Sequence, residues 1–206
     1  TELFAGPPPR GGWRVVDPAA GEGVLLDEGC AGGWTDPGRA VGVEIDPGIP
    51  VGRPLDAAPI RLGDGLLDRP EGVVDGTFDV AVANPPFGRA RELLSAAQQE
   101  RLRAAPGAPL GIWGPPQRQG EGLTHADGGR RVEELFLERL LQLVADGGLV
   151  ACIVPYSLLA NRREQRARDW VGQCACLLAA VALPASAFRR PGLNAYAHLI
   201  LLRKAA

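Results

Sequence analysis

The sequence predicts an α/β fold: a doubly wound, mostly parallel sheet flanked by helices, with an antiparallel edge strand. Two observations predict it. Short apolar segments alternate along the chain with stretches whose apolar residues repeat at helical spacing. The last two apolar segments follow each other without a helix between them, as expected for an antiparallel pair at one edge of the sheet.

Seven apolar segments are predicted to be strands. They are short, rich in valine, alanine, isoleucine or leucine, and separated by turn-forming residues. The predicted strands are residues 13–17, 40–45, 60–62, 78–83, 149–155, 177–184 and 197–204.

Four segments are predicted to be helical. The clearest is 131–145, where apolar side chains repeat on one face and Gly147 and Gly148 provide a stop. The others are a short helix that opens at 23–26, a polar helix over 89–105 and an arginine-rich helix over 161–171. Residues 106–130 are rich in proline and glycine and too long for an ordinary connector, so we interpret them as a substrate-facing loop or an insertion.

Composition limits the class of protein. The chain has 206 residues, 46% of them hydrophobic, which predicts a single domain over 1–206 with a sizeable core. Because it has no apolar run of about 18 residues and no signal-peptide pattern, we expect a soluble, cytoplasmic protein without membrane contact. The net charge of −2 argues against nucleic-acid binding through phosphate contacts alone. The four cysteines lack CxxC spacing, so no metal site is predicted.

The first predicted site is the loop VVDPAAGEG after the first strand. Asp17 ends the strand, and the small residues that follow, with Gly21 and Gly23, allow a cofactor to lie against the backbone at the carboxyl edge of the sheet. The loop lacks the GxGxxG spacing of a dinucleotide site and the lysine of a triphosphate site. Phosphate binding is therefore not favoured.

Acidic residues end the next two strands. Glu44 can accept hydrogen bonds from ribose hydroxyls, or it is only a polar strand end beside the turn at Pro47. Asp64 can accept a hydrogen bond from an adenine amino group, or Asp64 and Gly65 form an ordinary turn. Each motif alone is weak evidence for a cofactor site.

The fourth strand, FDVAVA, runs directly into Asn84, Pro85, Pro86 and Phe87. Proline fixes its own φ near about −65° and restricts the preceding residue, so Asn84 and Pro85 are both constrained. A buried strand thus ends in a rigid segment, which is either a strand-terminating turn or a site whose geometry must be fixed.

In this order and at these intervals, the segments DPAAGEG, GVEIDP, GDGLL, FDVAVANPPFG and GGLVACIVPYSLLAN resemble S-adenosylmethionine-dependent amino methyltransferases, and most of all bacterial N6-adenine DNA methyltransferases. The resemblance covers about 13–204, and the closing segment is similar to the modification subunits of type I restriction systems. It implies a Rossmann-like class I methyltransferase fold that uses S-adenosylmethionine and releases S-adenosylhomocysteine. The resemblance assigns cofactor binding to Asp17, Ala19, Gly21, Gly23, Glu44, Ile45, Asp64 and Gly65.

The resemblance also assigns catalysis to Asn84, Pro85, Pro86 and Phe87. An exocyclic amino group is a poor nucleophile because its lone pair is delocalised into the ring. The Asn84 side-chain oxygen and the Pro85 carbonyl can accept its two N–H bonds, and the prolines fix that carbonyl before the substrate arrives. Phe87 offers a face on which a flipped base can stack. The expected reaction is methyl transfer to N6 of adenine in DNA.

Two arginine clusters are expected to contact the substrate. Arg162 and Arg163 lie in the predicted fourth helix, and Arg189 and Arg190 lie between the last two strands. If both lie near the catalytic edge they form a positive lip for a polynucleotide; the alternative for the first cluster is a solvated helix face. DNA is the expected partner, with RNA second.

The sequence departs from the resemblance in ways that keep alternatives open. The segment DEGCAGGWTDPG predicts a short first helix, which puts tight cofactor binding in question. No segment is large enough for a target-recognition domain, so we expect either a catalytic domain of a longer chain or recognition by a partner. The remaining alternatives are methylation of an amino group in RNA, of a cytosine or guanine, or of a protein glutamine, and a non-catalytic domain.

Overall fold

The computed structural model describes residues 9–49, 56–104, 131–184, 187 and 196–206. Within them, seven strands form one sheet in the order β3-β2-β1-β4-β5-β7-β6. The strands are β1 (Val15–Asp17), β2 (Ala40–Glu44), β3 (Ile60–Leu62), β4 (Phe78–Ala83), β5 (Val144–Pro155), β6 (Ala175–Ala182) and β7 (Ala197–Lys204). The first five strands are parallel, whereas β7 is antiparallel to both β5 and β6. The predicted fold, with its antiparallel pair at one edge, is confirmed.

Six α-helices and two 3-10 turns connect the strands within the described residues. The helices are α1 (Val24–Ala31), α2 (Ala90–Leu93), α3 (Ala96–Ala104), α4 (Val132–Leu143), α5 (Tyr156–Ala160) and α6 (Gln165–Cys174), and the turns are Pro37–Arg39 and Arg162–Glu164. The expected short first helix is confirmed, since α1 has only eight residues. None of the described helices is both long and apolar enough to cross a membrane.

The order of the strands creates a crevice between β1 and β4. From β1 the chain moves outward through β2 to β3, and it then returns to place β4 on the other side of β1. In doubly wound sheets, ligands bind outside the carboxyl ends of the strands at such a reversal. The loops that follow β1 and β4 therefore flank the expected ligand position.

The two faces of the sheet are covered by different helices. Alternate residues of the central strands point to opposite faces. Val16 and Ala81 lie in the cluster that contains the buried face of α4, whereas Val15 packs with Leu26 of α1. Because α4 contacts both β4 and β5, its position fixes the part of the sheet that carries the rigid segment.

The predicted helix over 89–105 is wrong as one element. It is split into α2 and α3, because Leu94 has extended backbone angles. Ser95 and Gln98 then form a reciprocal cap: the Gln98 amide donates to Ser95 Oγ at 3.3 Å, and the Ser95 amide donates to Gln98 Oε1 at 2.9 Å. This cap starts a new helix.

The prediction that Gly147 and Gly148 stop a helix is also wrong. The helix ends at Leu143, and β5 begins at Val144 without a connecting loop. The glycine pair lies inside β5, where the register with β4 shifts between Phe78 and Val80. Gly147 has φ +77°, so an irregular strand rather than a helix end uses its conformational freedom.

The region after β5 differs from the prediction in detail. It begins with α5, which was not predicted, and the arginines that were predicted to open a helix at 161 lie in the turn Arg162–Glu164. The regular helix starts at Gln165 and ends at Cys174. The proposed loop or insertion over 106–130 lies outside the described residues.

Candidate active site

The loop after β1 is held tightly against β2. The Ala19 amide donates to Asp17 Oδ1 at 2.9 Å, and the Ala20 amide donates to the Val43 carbonyl at 3.0 Å. A Cβ atom on Gly42 would lie 2.6 Å from the Cβ atom of Ala20, so β2 needs a glycine where the loop crosses it. Small residues therefore bring the loop into backbone contact with the sheet.

The turn continues with two glycines in the left-handed region. Gly21 has φ +52° and Gly23 has φ +86°, and Gly23 is the residue from which α1 starts. Residues with a Cβ atom rarely adopt these angles. The predicted glycine positions therefore serve the turn that leads into α1.

Glu44 joins the end of β2 to this loop. Its Oε2 accepts a hydrogen bond from the Gly21 amide at 2.8 Å, and its Oε1 accepts one from the amides of Ile45 and Asp46 at 2.9 Å each. A carboxylate has about four acceptor positions, so one position on Oε2 has no partner among the described residues. The Ile45 side chain is 51% exposed beside it.

The Asp17 carboxyl is buried, with 1% of its surface exposed. Burial and, to a smaller extent, the nearby charge of Glu44 raise its pKa to about 7, against the opposing effect of the hydrogen bond from the Ala19 amide. A carboxyl group with a pKa near 7 changes charge easily when a cation approaches. Asp17 is therefore both a structural anchor and an electrostatically sensitive group.

Asp64 lies at the end of β3 and is nearly buried, with 6% of its surface exposed. Its Oδ1 accepts hydrogen bonds from the Leu66 and Leu67 amides at 3.0 and 3.3 Å. Its Oδ2 accepts one from Gln98 Nε2 at 2.9 Å. A side-chain NH₂ group thus binds the oxygen for which an adenine amino group was predicted, and within the described ranges one acceptor position of Asp64 is unoccupied.

The predicted catalytic segment, Asn84 to Phe87, is called the tetrapeptide below, and it follows β4 directly. Since Val16 of β1 pairs in parallel with Ala81 of β4, Asn84 emerges at the same edge of the sheet as the loop after Asp17. Asn84 and Pro86 are exposed, Pro85 is buried and Phe87 is half-buried. Within the described part of the chain, no hydrogen bond to the Asn84 side chain is found, so its amide is available to a ligand.

The sequence matches no protein-family model and no curated protein. Its structure is similar to solved structures. A protein from Listeria monocytogenes described as a class I S-adenosylmethionine-dependent methyltransferase aligns with TM-score 0.64 and 18% identity, over 95% of this chain and 55% of that chain. The type I restriction-modification methyltransferase subunit from Streptococcus thermophilus aligns with TM-score 0.61 and 18% identity, over 100% of this chain and 42% of that chain.

The M protein of the type I restriction enzyme EcoKI aligns with TM-score 0.56 and 19% identity, over 97% of this chain and 41% of that chain. The chain has the class I methyltransferase fold. It spans about half or less of the length of these three structures.

In this class I methyltransferase fold, an unpredicted arginine supports the loop after β3. The Arg139 side chain on α4 is fully buried, and its Nε donates to the Gly65 carbonyl at 3.0 Å. Its Nη1 donates to Asp75 Oδ1 at 2.6 Å, and its Nη2 donates to the Asp68 carbonyl at 3.4 Å. The signal in the sequence was an arginine inside an otherwise apolar helical repeat.

The first arginine cluster lies at the same edge as the tetrapeptide. Because α5 starts where β5 ends, the turn with Arg162 and Arg163 is on the carboxyl side of the sheet, and both residues are exposed. Arg168, from the same stretch, instead donates to the Leu158 and Asn161 carbonyls at 2.8 and 2.9 Å and stabilises the end of α5. Arg189 and Arg190 lie outside the described residues.

The arginine-bearing turn is connected to α4 by two carboxyl groups. The Glu134 carboxyl on α4 shares a hydrogen bond with the carboxyl of Glu164, the last residue of the turn. Burial, followed by the hydrogen bond with Glu164 and its charge, raises the pKa of Glu134 to about 8. Glu134 therefore binds a proton more readily than an ordinary carboxyl group does.

Proposed function

We propose that this chain transfers a methyl group from S-adenosylmethionine to the exocyclic N6 amino group of adenine in DNA. One observation carries the proposal: Asn84 and Pro85 directly follow β4 on one side of the crevice, and the loops that follow Asp17 of β1 and Glu44 of β2 lie on the other. Two potential acceptors thus share an edge of the sheet with loops that carry acids and glycines.

The residues of the pocket fit S-adenosylmethionine. Its ribose and adenine offer hydroxyl and amino donors, and Glu44 and Asp64 each retain one acceptor position in the part of the chain that the structure describes. Its sulfonium and ammonium groups are cations, which the Asp17 carboxyl favours when ionised. Gly65 lets the loop after β3 pack directly against the loop after β1, because the Pro18 carbonyl occupies the space that a Cβ atom would need.

The residues of the chain position the nucleophile. The Asn84 side-chain oxygen and the Pro85 carbonyl accept the two N–H bonds of the amino group, which turns the nitrogen lone pair away from the ring. When bound, the cofactor would supply an electrophilic methyl group: the N–C bond would form as the S–C bond breaks, S-adenosylhomocysteine would leave, and the extra proton on the nitrogen would pass to solvent at the exposed edge beside Asn84. Pro86 and buried Pro85 keep the acceptors in place, so less free energy is spent on orienting them during the reaction.

Exposed aromatic residues near the tetrapeptide favour a nucleic acid as the substrate. β5 continues for three residues beyond Cys152, which pairs with the last residue of β4. Tyr156 directly follows this end of β5, and Tyr196 directly precedes β7. Their side chains are 54% and 75% exposed. The Tyr156 amide donates to the Tyr196 carbonyl at 2.7 Å, so the two residues are adjacent.

Together with the exposed Arg162 and Arg163, the two tyrosines combine stacking faces with positive charge. This combination is typical of surfaces that bind unstacked nucleotides. A protein glutamine side chain offers no ring for such a surface. Base stacking therefore supports a nucleic-acid substrate over a protein amide.

We further propose that the target sequence is recognised by a domain or subunit outside these residues. One similar structure belongs to a study of complex assembly in a type I restriction-modification system, and this chain covers 42% of it. A cytoplasmic location agrees with four cysteines that are all free thiols.

The test measures transfer of labelled methyl from S-adenosylmethionine to DNA, RNA and protein, with binding of the cofactor measured by calorimetry. We expect label in DNA, and loss of about 100-fold or more in turnover for Asn84→Ala with cofactor affinity retained. Label in RNA alone or in protein alone would contradict DNA as the substrate. The absence of cofactor binding would contradict methyl transfer itself.

A further inference from the structure

The residue after the tetrapeptide is tied to the start of α4. The Gly88 amide donates to Glu133 Oε2 at 3.0 Å, and the Val132 amide donates to the Gly88 carbonyl at 2.8 Å. Arg89 and Arg131 add an isolated antiparallel bridge next to this contact. The segment from Asn84 to Gly88 is therefore fixed at one end by β4 and at the other by α4.

Glu133 is fully buried, with none of its surface exposed. Its second oxygen, Oε1, accepts a hydrogen bond from Arg131 Nε at 2.5 Å, and the Arg131 side chain is 25% exposed. A buried carboxylate is stable only when it is paired and hydrogen-bonded. Here Arg131 compensates the charge, and the other oxygen is directed at the Gly88 amide.

Gly88 requires this support because its backbone conformation is unusual. Its φ is +147°, and a Cβ atom at this position would lie 2.9 Å from Leu93 Cδ1. A glycine has many alternative conformations when no partner holds it. The Glu133 carboxylate selects one of them, and it does so four residues after Asn84.

We propose that Glu133 is a positioning residue that directs the Pro85 carbonyl and the Asn84 side chain by holding the Gly88 amide. This inference rests on the proposed methyl transfer. The two prolines leave little freedom within the tetrapeptide, so the direction of its acceptors depends on where its ends are anchored. A shift of about 1 Å at the reacting centre can reduce a rate about 100-fold.

A purely structural role has different consequences. Glu133 lies in the first turn of α4, where a negative charge also stabilises the helix. Glu138 provides a matched control, because it is an equally buried acid on the same helix, and its Oε1 accepts a hydrogen bond from Gln142 Nε2 at 3.4 Å. A structural role predicts similar effects for changes at both positions.

The experiment compares Glu133→Ala, Glu133→Gln and Glu138→Gln in the full chain. We expect Glu133→Ala to lower kcat for methyl transfer about 100-fold, with the cofactor Kd and the substrate KM changed by less than about threefold. Glutamine retains an oxygen for the Gly88 amide, whereas its NH₂ group would face Arg131, so Glu133→Gln should recover part of kcat. It also keeps the test possible if the alanine variant does not fold. Glu138→Gln should leave kcat unchanged.

Hydrogen exchange of the Gly88 amide provides a readout that is independent of activity. Exchange should accelerate in Glu133→Ala and stay slow in Glu138→Gln. If kcat and Gly88 exchange are unchanged in Glu133→Ala, or if kcat, cofactor affinity and stability fall together in both Glu133→Gln and Glu138→Gln, the positioning role is overturned. If the wild-type protein transfers no methyl group, the proposed function fails, and Gly88 exchange alone still reports whether Glu133 holds the loop.

Discussion

Gly65 lies against Pro18 so closely that a Cβ atom on residue 65 would be 1.7 Å from the Pro18 carbonyl oxygen. Pro18 follows β1 and Gly65 follows β3, so this contact joins the two loops that flank the ends of β1, β2 and β3. Arg139 stabilises this contact, because its Nε donates a hydrogen bond to the Gly65 carbonyl. The loops after β1 and β3 therefore form one packed unit in the proposed cofactor site.

Gly65→Ala should force the two loops apart. We expect the free energy of unfolding to fall by about 1–3 kcal/mol, as for overpacking in a core, and S-adenosylmethionine binding to weaken strongly. Chemical denaturation and calorimetry measure the two effects. Gly63→Ala is the matched control, because the nearest atom to its added Cβ would be Asp68 Oδ2 at 3.4 Å, an ordinary contact. Equal effects at both positions would contradict the role of the Pro18 contact.

The affinity for S-adenosylmethionine should depend on pH through Asp17. The pKa of its carboxyl is raised to about 7 in the folded protein, so a cationic cofactor must displace its proton below that pH. Affinity should rise by up to about tenfold per pH unit toward pH 7 and then level off. Calorimetry across this range measures it, and Asp17→Asn should remove the slope. A slope that persists in Asp17→Asn would assign the effect to another group.

The same raised pKa predicts the direction of a stability change. A carboxyl that is protonated more readily when folded stabilises the protein fully below its ordinary pKa of 3.8, and this contribution is lost as pH rises toward about 7. Asp17→Asn should therefore make the free energy of unfolding less dependent on pH in this window. Denaturant titrations at a series of pH values provide the measurement. An unchanged pH dependence would show that Asp17 titrates normally in the folded protein.

Gln98→Ala should free one oxygen of Asp64. If the adenine amino group binds there, loss of the competing amide should tighten S-adenosylmethionine binding by up to about tenfold, the equivalent of one hydrogen bond. Gln98 also caps α3, so Ser95→Ala serves as the control that removes the cap partner and keeps the Gln98 amide. Similar tightening in Ser95→Ala would attribute the effect to α3 instead.

Tyr156→Ala should weaken binding of single-stranded DNA. Stacking of one base on an aromatic ring contributes about 1–3 kcal/mol, which corresponds to about 5- to 150-fold in Kd. Tyr156→Phe retains the ring that packs against His198, with ring centres 5.5 Å apart, and should bind as the wild type does. Fluorescence anisotropy with a labelled oligonucleotide measures both variants. Equal binding by the alanine and wild-type proteins would remove Tyr156 from the substrate surface.

Local sequence patterns were sufficient for the sheet and for the proposed motifs. β7 has the predicted bounds, and Asp17, Glu44, Asp64 and Asn84 all lie at the carboxyl ends of strands, as the alternation of apolar segments predicted. The reason is that strand ends and tight turns depend on neighbouring residues, and proline and glycine restrict those turns directly.

The supporting residues could not be predicted, because they depend on partners that are distant in sequence. Glu133 is 45 residues from Gly88, and Arg139 is 74 residues from Gly65. In the sequence alone, Glu133 and Arg139 are only charged residues within an apolar helical repeat. The boundary between α4 and β5 was missed for a related reason, since apolar Val144 suits a helix and a strand equally well.

Glu133 and Glu134 are consecutive, yet they hold different parts of the protein. Glu133 holds Gly88 and thus the end of the tetrapeptide, whereas Glu134 forms a side-chain hydrogen bond with Glu164 at the end of the arginine-bearing turn. The first turn of α4 therefore supports both the acceptors of the proposed reaction and the surface that is proposed to bind DNA. Above about pH 8, where Glu134 loses its proton, the carboxylates of Glu134 and Glu164 repel each other. Alkaline pH should then weaken substrate binding before it lowers the rate of methyl transfer.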